Sequence, residues 1–359
     1  MKIAMLVLPL FYLAGNGYLF WKVWQIISGV PIWGRVVISL LFWVAAFSIF
    51  ISIGLRESRF PDMLLRWFFR IGAVWMVFML YMVMSLIVFD IVGLFVPVLR
   101  QSLLFALPIT ISILVYGYFN YKHPKMEHIS IDIEKLHEGG PLRIVAISDI
   151  HLGYGTTLTD LRGYVKLINA QHPDLVLIAG DLIDNSVKPL LCEPFADALA
   201  MINAPMGIYM VPGNHEYISG MDASADFLSR TPITLLSDRV VSLPNGVQIV
   251  GRDDRINRRR MPLDNLIDSV DMSRPVILLD HQPYELAEAD SLGIDIQISG
   301  HTHRGQIFPL NLITDRLFEQ SHGYRKWSNS HIIVTSGLSL WGPPFRIGTN
   351  SEMVVIELK

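Results

Sequence analysis

Negative charge is nearly missing from the first third of this 359-residue chain: up to Lys122 only Glu57, Asp62 and Asp90 are acidic. Soluble domains carry about 25% charged residues, so an ordinary water-facing domain is excluded there. Cysteine is scarce as well. The single Cys192 cannot close an internal disulfide, which fits a reducing compartment. Its expected state is that of a small buried apolar side chain. The net charge of −3 lacks the basic excess of a nucleic-acid binder, so no nucleic-acid partner is expected. There is no Gly-x-Ser-x-Gly elbow and no glycine-rich loop closed by lysine. A covalent serine mechanism and a P-loop site are therefore without support.

What fills the acid-poor region is apolar. Four stretches, about residues 3–24, 36–55, 71–89 (or on to 98) and 103–121, approach the roughly 20 residues a membrane span needs. Trp21, Trp24, Trp33, Trp67, Tyr116, Tyr118 and Tyr121 gather near their ends, as interfacial aromatic belts do. The first stretch has no clear small-residue cleavage site and reads as a retained helix. The expectation is an α-helical transmembrane bundle of four spans over 1–122, then a second domain over 123–359. With the N-terminus inside, Lys2, Arg56, Arg59, Arg66, Arg70, Lys122 and Lys125 stand against Lys22, Arg35 and Arg100. That bias puts both termini on the cytoplasmic side of an inner (cytoplasmic) membrane. Asp90 falls at the end of the third span, where an interfacial position accounts for it better than an ion pathway.

The second half reads as an α/β domain. Residues 175–179, Leu-Val-Leu-Ile-Ala, run through Gly180 into Asp181. A short unbroken apolar run reads as a strand buried on both faces of a parallel sheet. Open α/β sheets carry their ligands at the carboxyl ends of such strands. Residues 142–147 repeat the design and lead to Asp149-Ile150-His151. In an extended backbone that spacing turns both side chains to one side. Residues 208–211 lead to Gly213-Asn214-His215-Glu216, residues 276–279 to Asp280-His281, and residues 294–298 to Gly300-His301-Thr302-His303. Residues 129–133 alternate like an edge strand, 158–170 and 190–202 are spaced as helices, and 332–334 and 353–356 read as closing strands.

Five strand ends thus offer metal-ligand side chains. Imidazole with carboxylate suits Mn, Fe, Zn or Ni, and no thiolate points to a structural zinc site. Asn214 and His215 are adjacent and do not both reach one ion, which leaves seven ligands: Asp149, His151, Asp181, His281, His301, His303 and one of Asn214 and His215. Seven exceed what one ion takes if a position stays open for water. Two ions sharing one carboxylate use them all. Ions about 3.5–4 Å apart suit phosphoryl chemistry, where they clamp the attacking and leaving oxygens.

The succession Asp-x-His, Gly-Asp-x-x-Asp, Gly-Asn-His-Glu, His, Gly-His-x-His resembles the calcineurin-like metallophosphoesterase superfamily. The tail Gly337-Leu338-Ser339-Leu340-Trp341-Gly342-Pro343-Pro344 resembles its membrane-associated bacterial branch. The resemblance covers residue 142 onward and leaves the apolar part uncovered. It implies a two-sheet β-sandwich flanked by helices. It also implies two divalent metal ions, manganese first, with Asp149, His151 and His303 on one, Asn214, His281 and His301 on the other, and Asp181 bridging. His215 is implied as general acid or phosphate-charge stabiliser, with Asp184 as its partner. The activity implied is hydrolysis of a phosphomonoester, phosphodiester or pyrophosphate by metal-activated hydroxide. A phospholipid or lipid-linked ester is among the substrates expected of a membrane-anchored enzyme. The alternative is a non-catalytic membrane-bound ligand-binding or scaffold protein on the same fold.

Two positions depart from the branch. Arg304 follows the last histidine, where glycine is common, and either contacts a substrate phosphate or lies on a solvated rim. Asn185 stands where some relatives have a basic residue. His123, His128, His137, His172, His322 and His331 fall at no motif position and are expected at the surface or in a satisfied core. The cluster Arg255, Arg258, Arg259 and Arg260 reads either as a solvated face or as a surface for anionic lipid.

Overall fold

The computed structural model describes residues 2–359 apart from 136, 137 and 139, with side chains from residue 9 onward; His137 lies outside the described residues. The chain divides into two compact units, residues 1–119 with 342–345, and residues 120–341 with 346–359.

Helices occupy all four apolar stretches: α1 (Lys2–Ile26), α2 (Ile32–Leu55), α3 (Asp62–Gly93) and α4 (Ser102–Lys122). Among the described residues three of them, α2, α3 and α4, are long and apolar enough to cross a bilayer. Four spans were expected, against three found among the described residues. In α1, Asn16 and Lys22 face polar partners. Trp75 Nε1 donates to Asn16 Oδ1 at 2.8 Å. Lys22 Nζ lies 2.6 Å from Asp90, which Tyr18 also contacts. Asp90 is therefore held in an internal ion pair. At most 39% of each apolar window is buried within the protein, and Phe11, Trp33, Leu94 and Phe95 are 71–81% exposed. Apolar surface on this scale calls for lipid or a partner rather than water, and it makes the chain membrane-associated.

The helix pair α2–α3 packs closely through small residues. Gly72 lies directly against the Ile49 backbone and Ser48, and Ser52 Oγ donates to the Leu65 carbonyl at 2.9 Å. Without a hydrophobic drive between helices in lipid, such close approach is what holds a pair together.

The second unit holds two six-stranded sheets. The first has the order β1 (Lys125–Ile131), β12 (Glu352–Leu358), β2 (Leu142–Ile147), β3 (Leu175–Ile178), β4 (Ile208–Met210), β5 (Ile233–Leu235). The second has the order β10 (Gly323–Lys326), β11 (His331–Val334), β9 (Ile296–Ser299), β8 (Val276–Leu279), β7 (Gln248–Gly251), β6 (Arg239–Ser242). Residues of alternate parity divide between two cores. Ile144, Ala146, Leu175 and Leu177 meet Ile249, Ile277, Leu279, Ile296 and Ile298 between the sheets. Val145, Ile147, Val176 and Ile178 turn outward onto the helix Leu158–Asn169 and onto Phe195 and Leu199. β3 is central and pairs in parallel with β2 and β4. Because β2, β3 and β4 run parallel in one sheet, and β7, β8 and β9 in the other, their carboxyl ends gather at one edge of the sandwich.

Three expectations need correction. The helix over 190–202 is two short ones, Lys188–Leu191 and Phe195–Ala200, separated around Pro194, whose ring cannot donate a helical hydrogen bond. Cys192 falls in that break and is exposed, not buried. Tyr121 is buried against Tyr164, with the two hydroxyls 3.3 Å apart, and so has no interfacial role.

Gly72→Leu is expected to lower the stability of the helical unit by about 1–3 kcal/mol, the usual cost of overpacking. A clear fall in its unfolding midpoint in detergent, relative to Gly54→Leu, checks this; a Cβ on Gly54 meets nothing within 4 Å.

Candidate metal centre

Every residue expected as a ligand lies just beyond a strand's carboxyl end, and the backbone there is unusual. Asp149, His151, Asp181, His301 and His303 all adopt φ between 46° and 69°. This left-handed region is rare for residues other than glycine, and such strain persists only where the surroundings impose it. The expected pleat parity of Asp149 and His151 is thereby corrected. β2 ends at Ile147, and both side chains are aimed by left-handed turns rather than by an extended strand. The loops after β2 and β3 run side by side. Asp149 N donates to Gly180 O at 3.1 Å, His151 N to Asp181 O at 3.0 Å and Leu152 N to Leu182 O at 2.8 Å. Gly180, with φ of 85°, and Gly213 leave room for the approach. A Cβ on Gly180 would come within 2.5 Å of His281 Nδ1, and one on Gly213 would collide with the Asp181 carboxylate.

The side chains fall into overlapping groups. Ligand atoms of Asp149, His151 and His303 lie within 4.8 Å of one another, as do those of Asp181, His281 and His301, and those of His151, Asp181 and His215. His151 Nε2 and His303 Nε2 are 3.1 Å apart, and Asp149 Oδ1 is 3.7 and 3.4 Å from them. Asp181 Oδ2 reaches both sides, 3.2 Å from His281 Nε2 and 3.8 Å from His151 Nε2. Asn214 Oδ1 joins the second group, 3.2 Å from His281 Nε2 and 2.8 Å from His301 Nδ1. The carbonyl of Ala179 accepts from His281 Nδ1 at 2.7 Å, which leaves Nε2 with its lone pair turned inward. Asp184 Oδ1 stands between two rings, 3.2 Å from His215 Nδ1 and 3.5 Å from His151 Nδ1. None of these three buried atoms has an aligned hydrogen bond. Ring nitrogens and carboxylate oxygens converging at these distances are a donor set that fits divalent cations.

Electrostatics reinforce this. Burial opposes ionisation of Asp149, Asp181 and Asp184, yet the histidines around them hold all three carboxyls below the usual range. Burial likewise opposes charging His151, but Asp149 and Asp184 outweigh it and carry the ring up to about 10. His281 is raised for the same reason, chiefly by Asp181. Burial, then the charge of His281, brings His301 down to about 4.

Two residues that carry the site gave little sign in the sequence. Glu216, fully buried, accepts from Gly213 N at 2.7 Å, Asp181 N at 3.0 Å and Ile183 N at 2.9 Å, and so ties the loops after β3 and β4 together. Its place in Gly-Asn-His-Glu was the available signal. Burial and then Asp181 push its carboxyl up to about 7. Arg346 is also fully buried and donates to the carbonyls of His303 at 2.8 Å, Ser336 at 2.6 Å and Ser339 at 2.6 Å. Nothing in the residues beside it marked a buried arginine. Arg304 is half-buried with φ of 47°.

The chain is similar to known proteins. A family profile described as calcineurin-like phosphoesterase matches residues 142–305. An uncharacterized metallophosphoesterase of Helicobacter pylori strain J99 is 32% identical over 276 residues, 74% of this chain and 73% of that protein. One from Aquifex aeolicus is 32% identical over 251 residues, 68% of this chain and 95% of that protein. A Danio rerio protein named transmembrane protein with metallophosphoesterase domain is 33% identical over 278 residues, 72% of this chain and 63% of that protein. With the strand-end histidines and aspartates clustered as they are, the chain belongs to the calcineurin-like phosphoesterase family and is a metal-dependent phosphoesterase.

Proposed function

We propose that the second unit hydrolyses a phosphomonoester, phosphodiester or pyrophosphate at a dinuclear centre. Asp149, His151 and His303 would hold one ion, Asn214, His281 and His301 the other, with Asp181 shared and manganese the expected metal. The observation that carries this reading is the reach of Asp181 Oδ2 into both groups, 3.2 Å from His281 and 3.8 Å from His151. Divalent cations bound there would bring the pKa of water toward neutrality and offset charge on phosphoryl oxygens.

The chain's own residues do the rest. His215, buried beside Asp181 and backed by Asp184, is placed to give a proton to the departing oxygen. Asp184 faces Nδ1 of His215 and of His151, so it orients a proton donor and a ligand at once. The apolar helices would keep the domain at a membrane, and the Lys/Arg bias favours its cytoplasmic face. A phospholipid or lipid-linked ester suits such an anchored enzyme.

Purified full-length protein given Mn is expected to hydrolyse bis-p-nitrophenyl phosphate or p-nitrophenyl phosphate. Asp181→Asn should lose at least about 100-fold in turnover and bind fewer ions by elemental analysis. Turnover and metal content equal to the parent would overturn the shared-carboxylate assignment. His215→Gln should keep its metal content while kcat falls about 10²–10⁴-fold; an unchanged kcat removes His215 from the reaction.

The raised imidazoles set a pH dependence. A folded-state pKa of about 10 for His151, and one well above the ordinary value for His281, keep both rings protonated through neutrality. Each must lose its proton before its lone pair can reach a cation. Loading metal-free protein near pH 7.5 should release about two protons per chain, and affinity should climb with pH. Calorimetry with Mn in two buffers of different ionisation enthalpy measures this, and a release of zero contradicts it.

A further inference from the structure

The loop that leaves β7 folds back on itself and turns its arginines into a hollow. Arg252, Arg255, Arg258 and Arg260 line a cavity of about 340 Å³, with Glu285 and Glu288 on the opposite wall. The two best-buried arginines are fixed from behind. Arg252 Nη1 donates to Glu288 at 3.0 Å and Asp280 at 3.3 Å, and Arg260 Nη1 reaches Asp280 at 3.3 Å. Arg255 pairs with Glu285 at 2.9 Å and lies over the Tyr284 ring at 4.8 Å, while Arg258 is exposed at the rim. Four guanidinium groups against three carboxylates leave the hollow net positive. Arg259 lies outside the lining, and its neighbours border an open, shallow hollow. Asp280, which anchors two of these arginines, directly precedes His281 in the chain.

We propose that this cavity is an anion-binding site distinct from the metal centre, built for a phosphate-bearing group that is either free or carried on a lipid headgroup. Arginine forks match the oxygens of phosphate in geometry and in charge. Arg258 presents an exposed guanidinium, while Arg255 and Arg260 share theirs with Glu285 and Asp280; a phosphomonoester has three free oxygens to meet them, a carboxylate two. The volume lies at the lower end of the roughly 300–1,000 Å³ of ligand pockets, which suits a headgroup or a small phosphate. That the anion is a phosphate rests on the phosphoesterase reading; that there is an anion site rests on the cavity alone.

The test uses the full chain, stripped of metal with a chelator so that phosphate cannot bind through cations. Titration with inorganic phosphate should show saturable binding. Arg255→Ala with Arg258→Ala should weaken it at least tenfold, whereas Arg259→Ala, an equal charge change outside the cavity, should leave it as it was. Reconstitution in phosphatidylcholine with added phosphatidic acid separates the sources. Displacement of phosphate by the lipid assigns a headgroup, and undiminished phosphate binding assigns a soluble ligand. Absence of saturable binding, or an equal effect of Arg259→Ala, overturns the proposal. Turnover of bis-p-nitrophenyl phosphate by Mn-loaded protein from the same preparation reports separately on the phosphoesterase reading.

Discussion

Three buried carboxylates, Asp149, Asp181 and Asp184, stand within a few ångströms of five imidazoles, and the surrounding structure serves to balance that charge. Two like charges 4 Å apart cost about 4 kcal/mol even at an effective dielectric of 20. Three such groups cannot stay ionised without cations close by. Protonated His151 and His281 meet that need in the metal-free protein, and bound cations take over the role. The backbone contributes too, since His215 N donates to Asp181 at 2.8 Å and His301 N to Asp149 at 3.0 Å. The centre is therefore an electrostatic unit that either protons or metals complete.

Holding such a unit requires a rigid frame, and the two sheets supply it. Their cores are apolar on both sides of β2 and β3, which fixes where those strands end. Beyond those ends the chain makes left-handed turns at Asp149, His151, Asp181, His301 and His303. Glu216 and Arg346 then fasten the turns, one through backbone N–H groups and the other through carbonyls. Both are ionisable side chains buried without direct exposure, which is tolerable only because their polar partners are numerous.

Much of this was legible from residue types alone. Apolar runs ending in Asp, Asn or His marked five strand ends, and alternation marked the edge position of β1. What failed failed for local reasons. A two-residue spacing suggested a pleat, but Asp149 and His151 lie beyond β2, where turn geometry governs direction. Arg346 was invisible because its partners are carbonyls, which carry no sequence signature. Four adjacent arginines looked like a surface, and only the path of the loop folds three of them inward with Arg252.

Strand β12 lies between β1 and β2, antiparallel to the latter. Residue 303 is made well before residues 352–358, so until β12 is made β2 lacks a neighbour on one side. His303 also waits for residue 346 before its carbonyl is anchored. Until residues 346–358 are in place, the cluster beyond β2 has neither its complete sheet nor the arginine that fastens it. Completion of the cluster is thus tied to β12, a strand made after every residue of the cluster.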